Sequence, residues 1–94
     1  MKYPEPETVF LVMPEGGDEP FMTAKLLAES EANTRTGSAM LVSWKDNTTG
    51  VYSPDVEACG DCGLEGWELY AASRDADLRI EINGGDYVFI FGVE

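Results

Sequence analysis

Two cysteines separated by two residues, in Cys59-Gly60-Asp61-Cys62-Gly63, are the most chemically suggestive feature of this sequence. Two thiolates at that spacing can chelate one metal ion, and nearby glycines let backbone N–H groups turn toward sulfur. Cys59-x-x-Cys62 is therefore half of a zinc or iron knuckle. The chain has no histidine and no third cysteine to complete the site. Completion would need carboxylates such as Glu57, Asp61 or Glu65, or the same pair from a second subunit across a dimer axis. A thiol–disulfide role fits less well. Gly63 and Gly66 follow the motif where a redox pair needs a helix start, and Asp55, Glu57, Asp61 and Glu65 raise thiol pKa values rather than lower them. The plainer reading, two loop cysteines packed as small apolar residues, is preferred, with bound zinc or iron as the alternative and no other cofactor implied.

Carboxylates are the second candidate chemistry. Asp55, Glu57, Asp61, Glu65 and Glu68 crowd one region, while Asp75, Asp77 and Asp86 sit at expected turns. In a chain with 18 acidic residues among 94, such pairs arise by chance. None matches the oxygen-ligand spacing of a calcium loop, so a solvated surface accounts for them. Without histidine the usual general base of nucleophilic catalysis is missing. No phosphate-loop signature follows Gly16-Gly17 or Gly84-Gly85, and no Gly-x-Ser-x-Gly elbow occurs. The balance leans away from an enzyme.

Charge narrows the partners. Six basic residues against 18 acidic ones give a net charge of −12, and Lys2, Lys25, Arg35, Lys45, Arg74 and Arg79 are scattered. Nucleic-acid and anionic-membrane binding both depend on clustered Lys and Arg, so neither is expected. No run of 18 apolar residues and no signal-peptide layout is present, which makes the cytoplasm the expected location. Acidic mimicry of a DNA backbone is a further reading of the charge, weakened because the acids spread evenly along the chain.

The elements that would position these groups follow from periodicity. Residues 1–7, with two prolines and two glutamates, read as an extended arm on a single domain spanning 1–94. Thr8–Met13 reads as a strand buried on both faces, closed by the Pro14-Glu15-Gly16-Gly17 turn. Asp18-Glu19-Pro20 reads as a helix start with Asp18 as cap. The helical face Phe21, Ala24, Leu27, Ala28 and Ala32 runs to about Asn33, with a Glu31–Arg35 pair and a stop at Gly37. Ala39–Lys45 and Val51–Ser53 flank the turn chemistry of Asp46–Gly50 as a hairpin. Trp67–Ser73 is ambiguous; the alternation of Trp67, Leu69 and Ala71 favours a strand, bracketed by Gly66 and by Arg74-Asp75-Ala76. Asp77–Asn83 alternates cleanly and returns through a two-residue Gly84-Gly85 turn to Asp86–Phe91.

Together these predict an α+β fold: two layers, one main helix packed on a mainly antiparallel five- to six-stranded sheet, in the order β-α-β-β-(β)-β-β. The first strand, the helix and the second strand could form one parallel crossover. A single helix leaves part of such a sheet bare, so Trp44, Tyr52, Trp67, Tyr70 and Tyr87 become candidates for a second apolar, interaction-prone face. A homodimer is the economical way to cover it; the alternative is that these rings are ordinary core residues.

Met40-Leu41-Val42-Ser43-Trp44, the Cys59–Gly63 loop, Gly66-Trp67-Glu68-Leu69-Tyr70-Ala71, Asp77-Leu78-Arg79-Ile80 and Tyr87-Val88-Phe89-Ile90-Phe91 together resemble a small family of short uncharacterised prokaryotic proteins, a domain of unknown function. The resemblance covers about residues 39 to 91. It implies a prokaryotic cytosolic protein and brings no assigned activity, ligand or catalytic residue. The functional expectation is a small acidic cytosolic binding domain without catalysis, paired with itself or with another protein. The alternatives are a metal- or redox-linked protein using Cys59 and Cys62, and an acidic DNA-mimic inhibitor.

Overall fold

A computed structural model describes residues 7–13, 19–53, 66–73, 76 and 78–93. The order is β1 (Glu7–Leu11), α1 (Pro20–Thr36), β2 (Ala39–Asp46), β3 (Val51–Ser53), α2 (Gly66–Ser73), β4 (Leu78–Ile82) and β5 (Tyr87–Val93). The strands make one five-stranded sheet in the order β1-β4-β5-β2-β3. Only β1–β4 is parallel; β4–β5, β5–β2 and β2–β3 are antiparallel. The expected α+β class with a main helix on a mainly antiparallel sheet is present.

Helix α1 forms where the periodicity places it. Pro20 occupies its first position, where a missing N–H costs nothing. Ala24, Ala28 and Ala32 are fully buried. Their small side chains let the helix lie close across β2, β5 and β4. Gly37 ends it in the left-handed conformation (φ 82°), its N–H reaching the Asn33 carbonyl at 2.8 Å. The anticipated Glu31–Arg35 pair closes at 2.7 Å. The cap differs: Glu19 precedes the helix and makes no side-chain cap bond, while Asp18 lies outside the described residues.

Four expectations are corrected. Residues 67–73 are helical, not a strand, so the bracketed element of the predicted order is α2. Trp67 and Ala71, one helical turn apart, are both buried against Val88, Ile90 and Val42, and this i, i+4 pairing outweighs the i, i+2 alternation. α2 packs on β2 and β5. Val88 and Ile90 face it, while Tyr87, Phe89 and Phe91 pack in the α1 cluster. Successive strand residues point to opposite faces, so α2 adds a partial third layer on the side away from α1. Second, β1 is an edge strand: Val9 is buried, but Phe10 is 72 % and Val12 85 % exposed. Third, β1 and β2 run in the same direction yet are not neighbours, since β4 and β5 lie between them. Fourth, the β4–β5 turn spans four residues, Asn83 to Asp86, because Ile82 pairs with Tyr87. Asn83, Gly84 and Gly85 all take positive φ.

The β4–β5 turn and the β2–β3 turn lie side by side at one end of β5 and β2 and hold each other. Asn47 donates from its backbone N–H to the Asp86 carbonyl (2.8 Å) and from Nδ2 to the Gly85 carbonyl (2.6 Å). Buried Asp46 accepts from the Thr48 N–H at 2.9 Å and from its hydroxyl, a side-chain turn that closes the β2–β3 hairpin.

Candidate functional site

Register decides where each candidate side chain goes. One cross-strand row on the α2 face runs Tyr52, Lys45, Val88, Glu81, Phe10 from β3 to β1; the next runs Ser43, Ile90, Arg79, Thr8. The α1 face carries Trp44, Phe89, Ile80 and Val9 in one row. A bulge between Leu41 and Ser43 lets Leu41 and Trp44, three apart, share that face.

The five aromatic candidates therefore do not form one surface. Trp44 and Tyr87 belong to the core beneath α1, where Phe21 lies 4.6 Å from the Trp44 ring, 5.6 Å from Phe89 and 6.3 Å from Tyr87. Trp67 is buried on the opposite side in α2. Tyr70 is partly buried on the same helix, and Tyr52 is exposed on the short edge strand β3. Cys59 and Cys62, with Asp55, Glu57, Asp61 and Glu65, lie outside the described residues, as do Pro14–Asp18, Arg74, Asp75 and Asp77. Among the described residues no three His, Cys, Asp or Glu side chains gather as metal ligands, and no helix is long and apolar enough to cross a membrane.

Among the described residues a charged cluster lies on the α2 face. Arg79 donates from Nη1 to Glu68 Oε2 (2.8 Å) and from Nε to Glu81 Oε2 (2.9 Å), and its guanidinium sits 5.6 Å from the Trp67 ring centroid. Burial alone would lower the Arg79 pKa. The hydrogen bonds and charges of Glu68 and Glu81 outweigh that and leave it above its ordinary value. The guanidinium is engaged with two carboxylates and a ring, so the cluster clamps α2 to β4. In the same cross-strand row, with Ile90 between it and Arg79, Ser43 is 1 % exposed and its Oγ finds no hydrogen-bond partner among the described residues.

Among the described residues the outer edge of β1 has no neighbouring strand. The Leu11 carbonyl accepts from the Asn83 N–H (2.9 Å), and the Met13 N–H donates to Asn83 Oδ1 (2.8 Å). Odd-numbered residues thus turn their backbone groups toward β4. In a parallel ladder the N–H and C=O of one residue point the same way, so Thr8, Phe10 and Val12 present both groups to the side away from β4, where no described strand pairs with them. Thr8–Met13 carries no charge, no proline and no bulge, the devices that normally blunt an edge. The other edge, β3, is only three residues long. Sequence reasoning passed over Phe10 and Val12 because an unbroken apolar run reads as a buried strand.

An uncharacterised protein of the archaeon Archaeoglobus fulgidus is 36 % identical over 61 residues, 65 % of this chain and 64 % of that protein. The matched stretch thus spans slightly less than two thirds of that relative's length. A crystal structure of a protein from Archaeoglobus fulgidus DSM 4304 superposes with a TM-score of 0.75 at 28 % identity and covers 96 % of both chains. The profile of a family described as a domain of unknown function matches residues 8–91, from the exposed edge of β1 to the last core aromatic of β5.

Proposed function

The chain belongs to the family DUF5619, a domain of unknown function, and from that premise we propose that it is a small acidic cytosolic binding domain without catalysis, which docks an extended protein segment along the outer edge of β1. The observation that carries this reading is the combination of backbone groups at Thr8, Phe10 and Val12 that no described strand takes up with the exposed side chains of Phe10 and Val12. Strand addition uses these two components together: main-chain hydrogen bonds for affinity and alternate side chains for selectivity. A protein partner is favoured over nucleic acid by the net charge of −12. The two described arginines, Arg35 and Arg79, are also already tied to glutamates.

The test uses a synthetic peptide copying residues 7–13 with a solubilising lysine tail, and a scrambled peptide with the same tail. At low-micromolar protein, the copy should slow amide hydrogen exchange in the segment 7–13 and the scramble should not. Phe10→Lys should abolish the slowing while circular dichroism remains native. Unchanged exchange at a large peptide excess would overturn the reading.

A further inference from the structure

Resting on that reading, we infer that the segment docked on β1 is basic: an extended stretch of another protein in which arginine or lysine alternates with apolar residues, one basic side chain lying over Phe10. The charges that border β1 carry this. In the sequence, residues 3–24 hold Glu5, Glu7, Glu15, Asp18 and Glu19 and no basic residue, so acids bracket the uncharged Thr8–Met13 strip on both sides. On the α2 face Phe10 lies opposite Glu81 in the ladder. Glu81 accepts from Arg79 through Oε2, and its Oε1 takes no hydrogen bond among the described residues, which leaves acceptor capacity on the carboxylate. On the α1 face, Glu7 opens β1 with its side chain 69 % exposed; it reaches Arg35 only at 3.5 Å, while Glu31 holds that arginine at 2.7 Å. Lys45 shares the cross-strand row of Phe10 but sits three strands away, about 14 Å, beyond the screening length of about 8 Å at physiological ionic strength.

An arginine placed opposite Phe10 meets the exposed ring first and the Glu81 carboxylate beyond it. Its aliphatic stem can cover the ring while the guanidinium stacks on the ring or reaches the carboxylate. The molecule already uses this combination internally, where Arg79 sits over Trp67 and binds Glu68 and Glu81. Val12, on the same face as Phe10, takes an apolar neighbour one position along. The net charge of −12 draws such a segment in and repels acidic ones, further copies of this chain included. A neutral apolar strand would meet Phe10 and Val12 equally well and gain nothing from the carboxylates around them.

Two short probes test this against the full chain by isothermal titration and amide hydrogen exchange. One alternates valine with arginine; the other alternates valine with citrulline, the uncharged isostere, on the same uncharged solubilising tail. At about 50 mM NaCl the arginine probe should bind about tenfold tighter than the citrulline probe and slow exchange in segment 7–13. Its advantage should shrink several-fold at about 500 mM, as salt screens the carboxylates. Phe10→Leu keeps an apolar edge and removes the ring, and should weaken the arginine probe about two- to fivefold while circular dichroism remains native. Equal affinity for the two probes, or no loss in Phe10→Leu, overturns the inference. So does an arginine probe held as tightly by Phe10→Lys as by wild type, since it then binds elsewhere on the acidic surface. If the citrulline probe or the copy of residues 7–13 still slows exchange in that segment, the docking-edge reading stands without a basic partner; if neither probe nor copy slows it, both fall.

Discussion

Replacing Arg79 by methionine keeps an aliphatic stem over Trp67 and withdraws the positive charge from between Glu68 and Glu81. Two hydrogen bonds between ionised groups are lost, each generally worth about 1.5–3 kcal/mol. The cation–ring contact adds roughly 0.5–1 kcal/mol. The arginine side chain is 24 % exposed and each carboxylate side chain 21 %. Solvent therefore screens part of the gain, and desolvation of the cation opposes it. A net loss of about 2 kcal/mol is expected for R79M. With a urea m-value of about 1 kcal/mol/M for so small a domain, the unfolding midpoint, followed by tryptophan fluorescence, should fall by about 2 M. R35M is the internal comparison: the Arg35 side chain is 41 % exposed and those of its partners Glu7 and Glu31 69 % and 30 %, more than in the Arg79 cluster, and its loss should cost no more than about 0.5 kcal/mol. The raised Arg79 pKa fixes the pH behaviour. A group whose folded pKa is raised contributes fully below its unfolded value and loses that contribution only as pH rises through the folded one. For a guanidinium both lie above the working range, so the R79M deficit should be constant from neutral to mildly alkaline pH. A deficit under about 0.5 kcal/mol, or one no larger than that of R35M, would refute the clamp.

Three further outcomes are expected. Ser43→Ala removes a buried hydroxyl with no described partner and should stabilise by on the order of 1 kcal/mol, raising Tm by about 4–8 °C in calorimetry. Asn83→Gly keeps access to the left-handed backbone (φ 55°) but loses the bond to the Met13 N–H, about 1 kcal/mol; Asn83→Ala adds backbone strain of similar size, so urea midpoints should rank wild type, then Gly, then Ala. Ala28→Leu forces a larger side chain into the sealed seam between α1 and the sheet and should cost about 1–3 kcal/mol in the same assay.

The elements with one dry face were legible. Ala24, Ala28 and Ala32 announce α1, and Leu78, Ile80 and Ile82 announce β4, because burial against a single neighbour leaves a clean period in the sequence. α2 was misread because Trp67, Leu69 and Ala71 also alternate; in so short a segment the two periods are hard to separate. The aromatic candidates scattered for a related reason. Tyr87 and Val88 are neighbours in the chain but belong to opposite faces, and the β2 bulge changes parity between Leu41 and Trp44. Strand order was out of reach, since the pairing of β1 with β4 joins distant segments and leaves no local pattern. The docking edge depends on that order: until β4 is known to be the only described neighbour of β1, Phe10 is simply one more core-type residue.

The contact between Met13 and Asn83 spans 70 residues, and this separation bears on how the chain is made. During synthesis β1 leaves the ribosome well before β4, the strand it pairs with. The β2–β3 and β4–β5 hairpins close over short loops and can form early, whereas β1 must wait for a long loop closure. The folding route expected is a core of α1, β2, β4 and β5 onto which the first strand docks late, so substitutions in β1 should chiefly accelerate unfolding and leave the folding rate nearly unchanged. While it waits, the nascent chain carries Thr8–Met13 uncovered on both of its edges. The segment we assign to pairing between finished molecules is thus also the one most open to capture by a chaperone before the molecule is finished.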